Sequence, residues 1–215
     1  MSKPFLTQII PRLVLLLIRE YAIMGLSLNI TIRHTVTMDI DSIKNLHKKY
    51  ANDDASFDLI HTHCQIVADI ALNAVQRNNI AVDQDLLRTA CMLHDIGCYT
   101  LWMPNEQTFK EDGYPQHALI GAAILAEEGL PEQVVNAVRT HVLMGLTASE
   151  IKQHTMKLPY KDMLPATEIG ELLCYADRFH SKHPKFNDPE TFMTNLAKNL
   201  PDQAAKFEQS IDKYG

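Results

Sequence analysis

Cys91-Met92-Leu93-His94-Asp95-Ile96-Gly97-Cys98-Tyr99 sets a histidine beside an aspartate at the end of an apolar run and follows them almost at once with a glycine. Both polar residues are good metal ligands, yet they stand where a helix should be burying itself. The stretch fits a helix over 83–96, started by the Asp83-Gln84-Asp85 side chains and closed by Gly97. On it His94 shares a face with Leu87, Ala90 and Cys91, since residues three or four apart are helical neighbours.

Working outward, the same arrangement recurs. His63 shares a stripe with Val67, Ile70 and Ala74, and His117 shares one with Ile120, Gly121 and Ile124. His141 follows Val134 and Val138, while Asp177 follows Ile169 and Leu173. A lone histidine on an apolar face is ordinarily a hydrogen-bonded core residue. A buried carboxylate is harder to excuse, because without a partner it costs several kcal/mol; Asp177 must pair with a cation or ligate a metal. Ligand-type residues entering one core from five helices point to a shared divalent cation.

The periodicity predicts helices at 41–50, 57–78, 83–96, 116–128, 131–144, 167–181 and 189–212, so residues 38–215 form an all-α domain. Gly129 suits a C-terminal cap and Pro131 a first turn. Between Tyr99 and Pro115 lies a long connection, of the kind that often carries function. Upstream, Leu26, Leu28, Ile30, Ile32 and Val36 alternate with polar residues, which predicts a strand. It has no partner strand in its own chain, so residues 1–37 are expected either to pair across a homodimer or to form a loosely attached N-terminal extension. The apolar run Leu13–Ile18 is flanked by Arg12 and Arg19, well short of the roughly 20 residues a membrane span needs.

With 46% hydrophobic residues, the 215-residue chain can bury a sizeable core. A formal net charge of -6 argues against a duplex nucleic-acid partner but leaves room for a local cationic pocket. The four cysteines, Cys64, Cys91, Cys98 and Cys174, form no C-x-x-C pair, which fits reduced thiols in a cytoplasmic protein.

The order His63, then His94-Asp95, then Asp177 resembles the metal-binding signature of the HD domain superfamily of metal-dependent phosphohydrolases. Its most typical segments here are His63-Cys64-Gln65-Ile66-Val67-Ala68 and Leu93-His94-Asp95-Ile96-Gly97, and the resemblance covers roughly residues 40–183. It implies an HD-type helical bundle in which His63, His94, Asp95 and Asp177 bind a first metal. His117 and His141 match the extra histidines of two-metal members, with Asp95 bridging the ions. One departure stands out. Members that hydrolyse cyclic dinucleotides usually carry lysine after the HDIG segment and a GYP-type motif, whereas Cys98 follows Gly97 here. Gly113-Tyr114-Pro115 lies in a different context, between the HD pair and the next histidine, and is taken as a chance match.

The ligand types suit one or two Mn, Fe, Co, Ni or Zn ions per chain. Water activated as hydroxide between such ions would attack a phosphate ester, with a nucleotide or another small phosphorylated metabolite as substrate. Arg178 and Lys182, just after Asp177, are candidates for stabilising the charge that builds on the phosphoryl oxygens, beside Asp95 as the bridging catalytic carboxylate. Glu106, Glu111 and Asp112 in the long connection are candidates for protonating a leaving group, and His61, off the stripe, is expected to face solvent. Two alternatives stay open: an HD-type di-iron oxygenase and a non-catalytic nucleotide-sensing module.

Overall fold

A computed structural model describes residues 38–182 and 189–215. The expected strand at 26–37, the apolar run at 13–18 and the proposed boundary at residue 37 lie outside those residues. Nine α-helices are described: α1 Ile40–Tyr50, α2 Asp54–Asn78, α3 Gln84–Leu93, α4 His117–Glu127, α5 Glu132–Thr140, α6 Ala148–Gln153, α7 Glu168–Asp177, α8 Pro189–Asn199 and α9 Pro201–Tyr214. The fold is all-α. None of the described helices is long and apolar enough to cross a membrane.

The long helix α2 packs on α3 and α7, α5 packs on α3, α4 and α7, and α9 covers α7. Ile60 and Val67 of α2, Leu87 of α3, Leu125 of α4, Val138 of α5 and Leu173 of α7 are fully buried where these helices meet. The stripes that carry the histidines are therefore the stripes that build the core. Asp53, Asp83, Thr147 and Thr167 accept hydrogen bonds from first-turn amides of α2, α3, α6 and α7, which fixes where these helices begin.

Several helices are shorter than the periodicity predicts. The third ends at Leu93 rather than 96, and a 3-10 turn runs from Ile96 to Leu101. Gly97 is not its cap. A Cβ there would lie 2.1 Å from the His117 carbonyl oxygen, so the glycine exists to let α4 approach. The stretch 131–144 stops at Thr140, and Leu143 and Gly145 take positive φ in the turn that follows. Gln203 of α9 clamps this turn, accepting from Met144 N at 2.8 Å and donating to the Gly145 carbonyl at 2.8 Å. The stretch 189–212 breaks at Leu200, because Pro201 has no N–H to continue the ladder.

Two elements fall outside the expectation. Helix α6 was not anticipated, although Thr147 and Glu150 make a full capping box. The connection 99–115 holds a short antiparallel hairpin, β1 Trp102–Met103 with β2 Thr108–Phe109, and a 3-10 turn Tyr114–Gln116.

Candidate functional site

The six predicted ligand-type residues converge. His63 comes from the middle of α2, His94 and Asp95 from just beyond α3, His117 from the first residue of α4, His141 from just beyond α5 and Asp177 from the last residue of α7. Helix ends thus bring most of the donors together, which is why helices shorter than predicted matter: each releases its polar residue at the end of a buried stripe.

The donors form two trios around Asp95. In the first, His63 Nε2 lies 3.0 Å from Asp177 Oδ1 and 3.2 Å from His94 Nε2. Asp95 Oδ2 faces it, 3.3 Å from His63 and 3.2 Å from His94. In the second, His117 Nε2 and His141 Nε2 stand 3.0 Å apart, with Asp95 Oδ1 at 3.3 and 3.7 Å. Either trio could hold a metal ion, and one carboxylate could serve both.

Hydrogen bonding at the outer nitrogens makes these donors fit a cation. The Nδ1 atoms of His94, His117 and His141 reach the carbonyls of Cys91, Tyr114 and Val138 at 2.7, 2.6 and 2.6 Å. A carbonyl only accepts, so each Nδ1 carries hydrogen, and in the neutral ring Nε2 presents a lone pair. His117 and His141 therefore aim lone pairs at one another with no hydrogen between them, a repulsion that a cation relieves. Asp95 Oδ2 is buried with imidazole and ammonium neighbours but no partner in hydrogen-bonding geometry.

Electrostatics point the same way. Burial pushes His117 down to about 3 and lowers His141, which keeps both in the neutral, ligating form. Burial would also lower His94, but Asp95, Cys64 and Asp177 together outweigh it and hold that ring well above its ordinary value, so the surroundings of His94 attract positive charge. Burial would raise both carboxyls. His94 with Lys182 overrides it at Asp95, and Arg178 with the histidines overrides it at Asp177, so both stay ionised.

Four of the six donors, His63, His117, His141 and Asp177, line a cavity of about 900 Å³ together with Arg178 and Lys182, while His94 and Asp95 are fully buried against them. Arg178 ion-pairs with Asp177, and the Lys182 ammonium contacts Asp95 and lies 5.6 Å from the Tyr114 ring centre. Of the three loop acids, Glu111 lines the cavity, Asp112 pairs with Lys157 at the surface, and Glu106 is exposed in the hairpin turn. His61 is half-buried away from the cavity, stacked on Phe57 rather than free in solvent. All four cysteines are buried free thiols. Cys64 lies close to His94 and Asp95, yet it is not part of the cavity wall.

His180 was not anticipated. Its Nδ1 lies 2.9 Å from His63 Nδ1, and it stands on the cavity wall. The signal was present, since it follows Asp177 by three residues. Tyr114, in the tripeptide taken as a chance match, places its carbonyl on His117 and its ring in the wall.

The HD domain family matches residues 60–182. Among curated proteins, the chain is 30% identical over 145 residues to the uncharacterized protein MJ0778 of Methanocaldococcus jannaschii, covering 65% of this chain and 78% of that one. It is 25% identical over 150 residues to a tRNA (cytidine(56)-2'-O)-methyltransferase of Thermoplasma volcanium, covering 70% of this chain but 40% of that protein. Among solved structures, the HD domain of the L. monocytogenes phosphodiesterase PgpH is similar in fold, with a TM-score of 0.50 and 13% identity over 78% of this chain and 94% of the other. A second structure of that domain, in complex with cyclic-di-AMP, is equally similar.

Proposed function

The chain belongs to the HD domain family, and from that premise we propose that it is a metal-dependent phosphohydrolase acting on a small phosphate ester. The observation that carries the proposal is the lone-pair-bearing cluster around Asp95 at the floor of a cavity whose wall supplies two cations, Arg178 and Lys182. In this reading His63, His94 and Asp177 would hold one divalent ion and His117 and His141 a second, with Asp95 between the two groups available to either. Bound divalent ions would lower the pKa of water and neutralise phosphoryl charge.

The protein's own groups do the rest. The carbonyls of Cys91, Tyr114 and Val138 hold three imidazoles in the ligating tautomer. Lys182 and Arg178 neutralise Asp95 and Asp177 and, with a phosphate in the cavity, turn their N–H groups toward its oxygens, where charge builds during displacement. These two cations favour phosphoryl chemistry over the di-iron oxygenase alternative, because charge building on phosphoryl oxygens calls for cationic partners. The test is elemental analysis of protein purified without added metal, followed by phosphate release from a panel of phosphate esters with Mn²⁺. Stoichiometric metal with phosphate release is expected. Two irons with a mixed-valent resonance and no phosphate release would sink the proposal in favour of the oxygenase; ligand-induced stabilisation without product would favour the sensing module.

A further inference from the structure

Resting on the hydrolytic reading above, we propose that the substrate is a monoester with one phosphoryl group on a flat aromatic body of nucleobase size, and that the β1–β2 hairpin recognises this body. The first observation is a run of rings. Trp102 packs edge-on against Phe109 with ring centres 5.2 Å apart, Phe109 lies 5.6 Å from Tyr114, and Tyr114 lies 4.8 Å from His117. All four line the cavity, so an aromatic surface runs from the hairpin to the second donor trio. The Trp102 indole N–H is engaged by Asp53 Oδ2 at 3.1 Å, which leaves the ring to offer the cavity apolar surface rather than a donor. Base-to-aromatic contacts of this kind are sequence-tolerant and strong because every base presents a π-face.

The second observation is where the charges stand. Among the described wall residues the only lysine and arginine side chains are Lys182 and Arg178, and both contact the carboxylates of the donor cluster. Apart from Asp177 of the donor cluster, the remaining carboxylate among the described wall residues is Glu111. One phosphoryl group is therefore served at the floor, whereas a second or third phosphate would meet aromatic rings and a carboxylate. Size agrees, for about 900 Å³ exceeds what a small sugar phosphate fills. Gln107 takes a left-handed conformation with φ 47° while lining the cavity beside Thr108, and these two side chains offer polar atoms to the edge of a base. In the reaction an oxygen of water forms the new bond to phosphorus and the ester P–O bond breaks. The departing alkoxide takes up a proton from water, and inorganic phosphate and the free alcohol leave.

The test uses the full chain and exploits Trp102, which is its single tryptophan. Nucleoside monophosphates, ribose phosphate, a nucleoside triphosphate and cyclic-di-AMP are compared by phosphate release with Mn²⁺ and, separately, by Trp102 fluorescence with Zn²⁺ in place of Mn²⁺. At least one nucleoside monophosphate should exceed ribose phosphate at least ten-fold in kcat/KM and should change the Trp102 emission, while ribose phosphate leaves it unaltered. Phe109→Ala should collapse that ratio through KM. Equal turnover of ribose phosphate, or preference for the triphosphate or the cyclic dinucleotide, overturns the inference while leaving the hydrolase intact. Saturable Trp102 changes with a monophosphate but no hydrolysis would uphold the pocket and overturn the hydrolase. Neither binding nor turnover would overturn both.

Discussion

The Nδ1 atoms of His63 and His180 lie 2.9 Å apart, with the two rings stacked at 5.2 Å. The other three histidines of the donor cluster rest their outer nitrogens on backbone carbonyls. His63 alone rests on a side chain. With Nε2 directed at the first trio, its Nδ1–H donates to His180, which makes His180 the group that orients this ligand. Outer partners of ligating histidines typically contribute 10–100-fold in metal affinity. His180→Ala should therefore weaken the ion held through His63 by about that factor, and His180→Asn, which keeps an acceptor, should recover part of it. Competition with a chelator measures both. Unchanged affinity in His180→Ala would reduce the pair to packing.

Gly97 tests how the second trio is assembled. A Cβ there would meet the His117 carbonyl at 2.1 Å and the Gly121 amide at 2.6 Å, both of them backbone atoms of α4 that cannot rotate away. Gly97→Ala should cost about 1–3 kcal/mol in urea unfolding, as overpacking does. It should also reduce bound metal by displacing His117. Gly129→Ala is the comparison, since Gly129 has φ 77° with nothing within 4 Å. Its expected cost is about 1–2 kcal/mol of left-handed strain, with metal content unaltered. Equal metal loss in both variants would show that Gly97 acts through stability alone.

Much of this site was legible in the sequence, and the reason is burial. His63, His94, His117, His141 and Asp177 sit on apolar stripes, so helical periodicity alone directs them inward. Helix ends were harder to locate. Nothing local distinguishes Leu93 or Thr140 as a last residue; α3 and α5 stop there because the next residues turn toward Asp95 and are held by tertiary contacts such as Gly97 on His117 and Gln203 on Gly145. Two-residue strands have no periodicity to detect, so in the sequence the hairpin reads as loop. His180 escaped because its partner is a side chain from a helix more than a hundred residues earlier.

His47 supplies a pH dependence separate from the metal ligands. Its Nε2 donates to the Met92 carbonyl at 2.6 Å, so its Nδ1 accepts from the Tyr99 hydroxyl at 2.9 Å, and the buried ring is satisfied only when neutral. Burial pushes it down to about 4 from an ordinary 6.5. Between these values the unfolded chain binds the proton and the folded chain does not, so stability falls as pH drops from about 6.5 to about 4, then levels off. The full loss is about 3 kcal/mol. His47→Gln removes the titration, and subtracting its urea profile from that of the wild type isolates this contribution from the other histidines. Parallel profiles across the window would contradict the assignment.

The last prediction separates one metal from two. Asp95 directs Oδ2 at His63 and His94, and Oδ1 at His117 and His141, so it is the one residue shared by both trios. His117→Ala removes a donor from the second trio and should lower the metal-to-protein ratio from about two toward one, since each ion needs several protein ligands to stay bound. Asp95→Ala strips a ligand from both ions, leaves their charge poorly compensated and frees the Lys182 ammonium inside the cluster. Both metals and all turnover should be lost. Asp95→Asn keeps the shape and discards the charge, so its metal content tells whether geometry or electrostatics holds the pair. A wild-type protein that saturates at one ion per chain would make His117 and His141 substrate contacts. A His117→Ala variant that keeps both ions would return His117 to an ordinary core histidine.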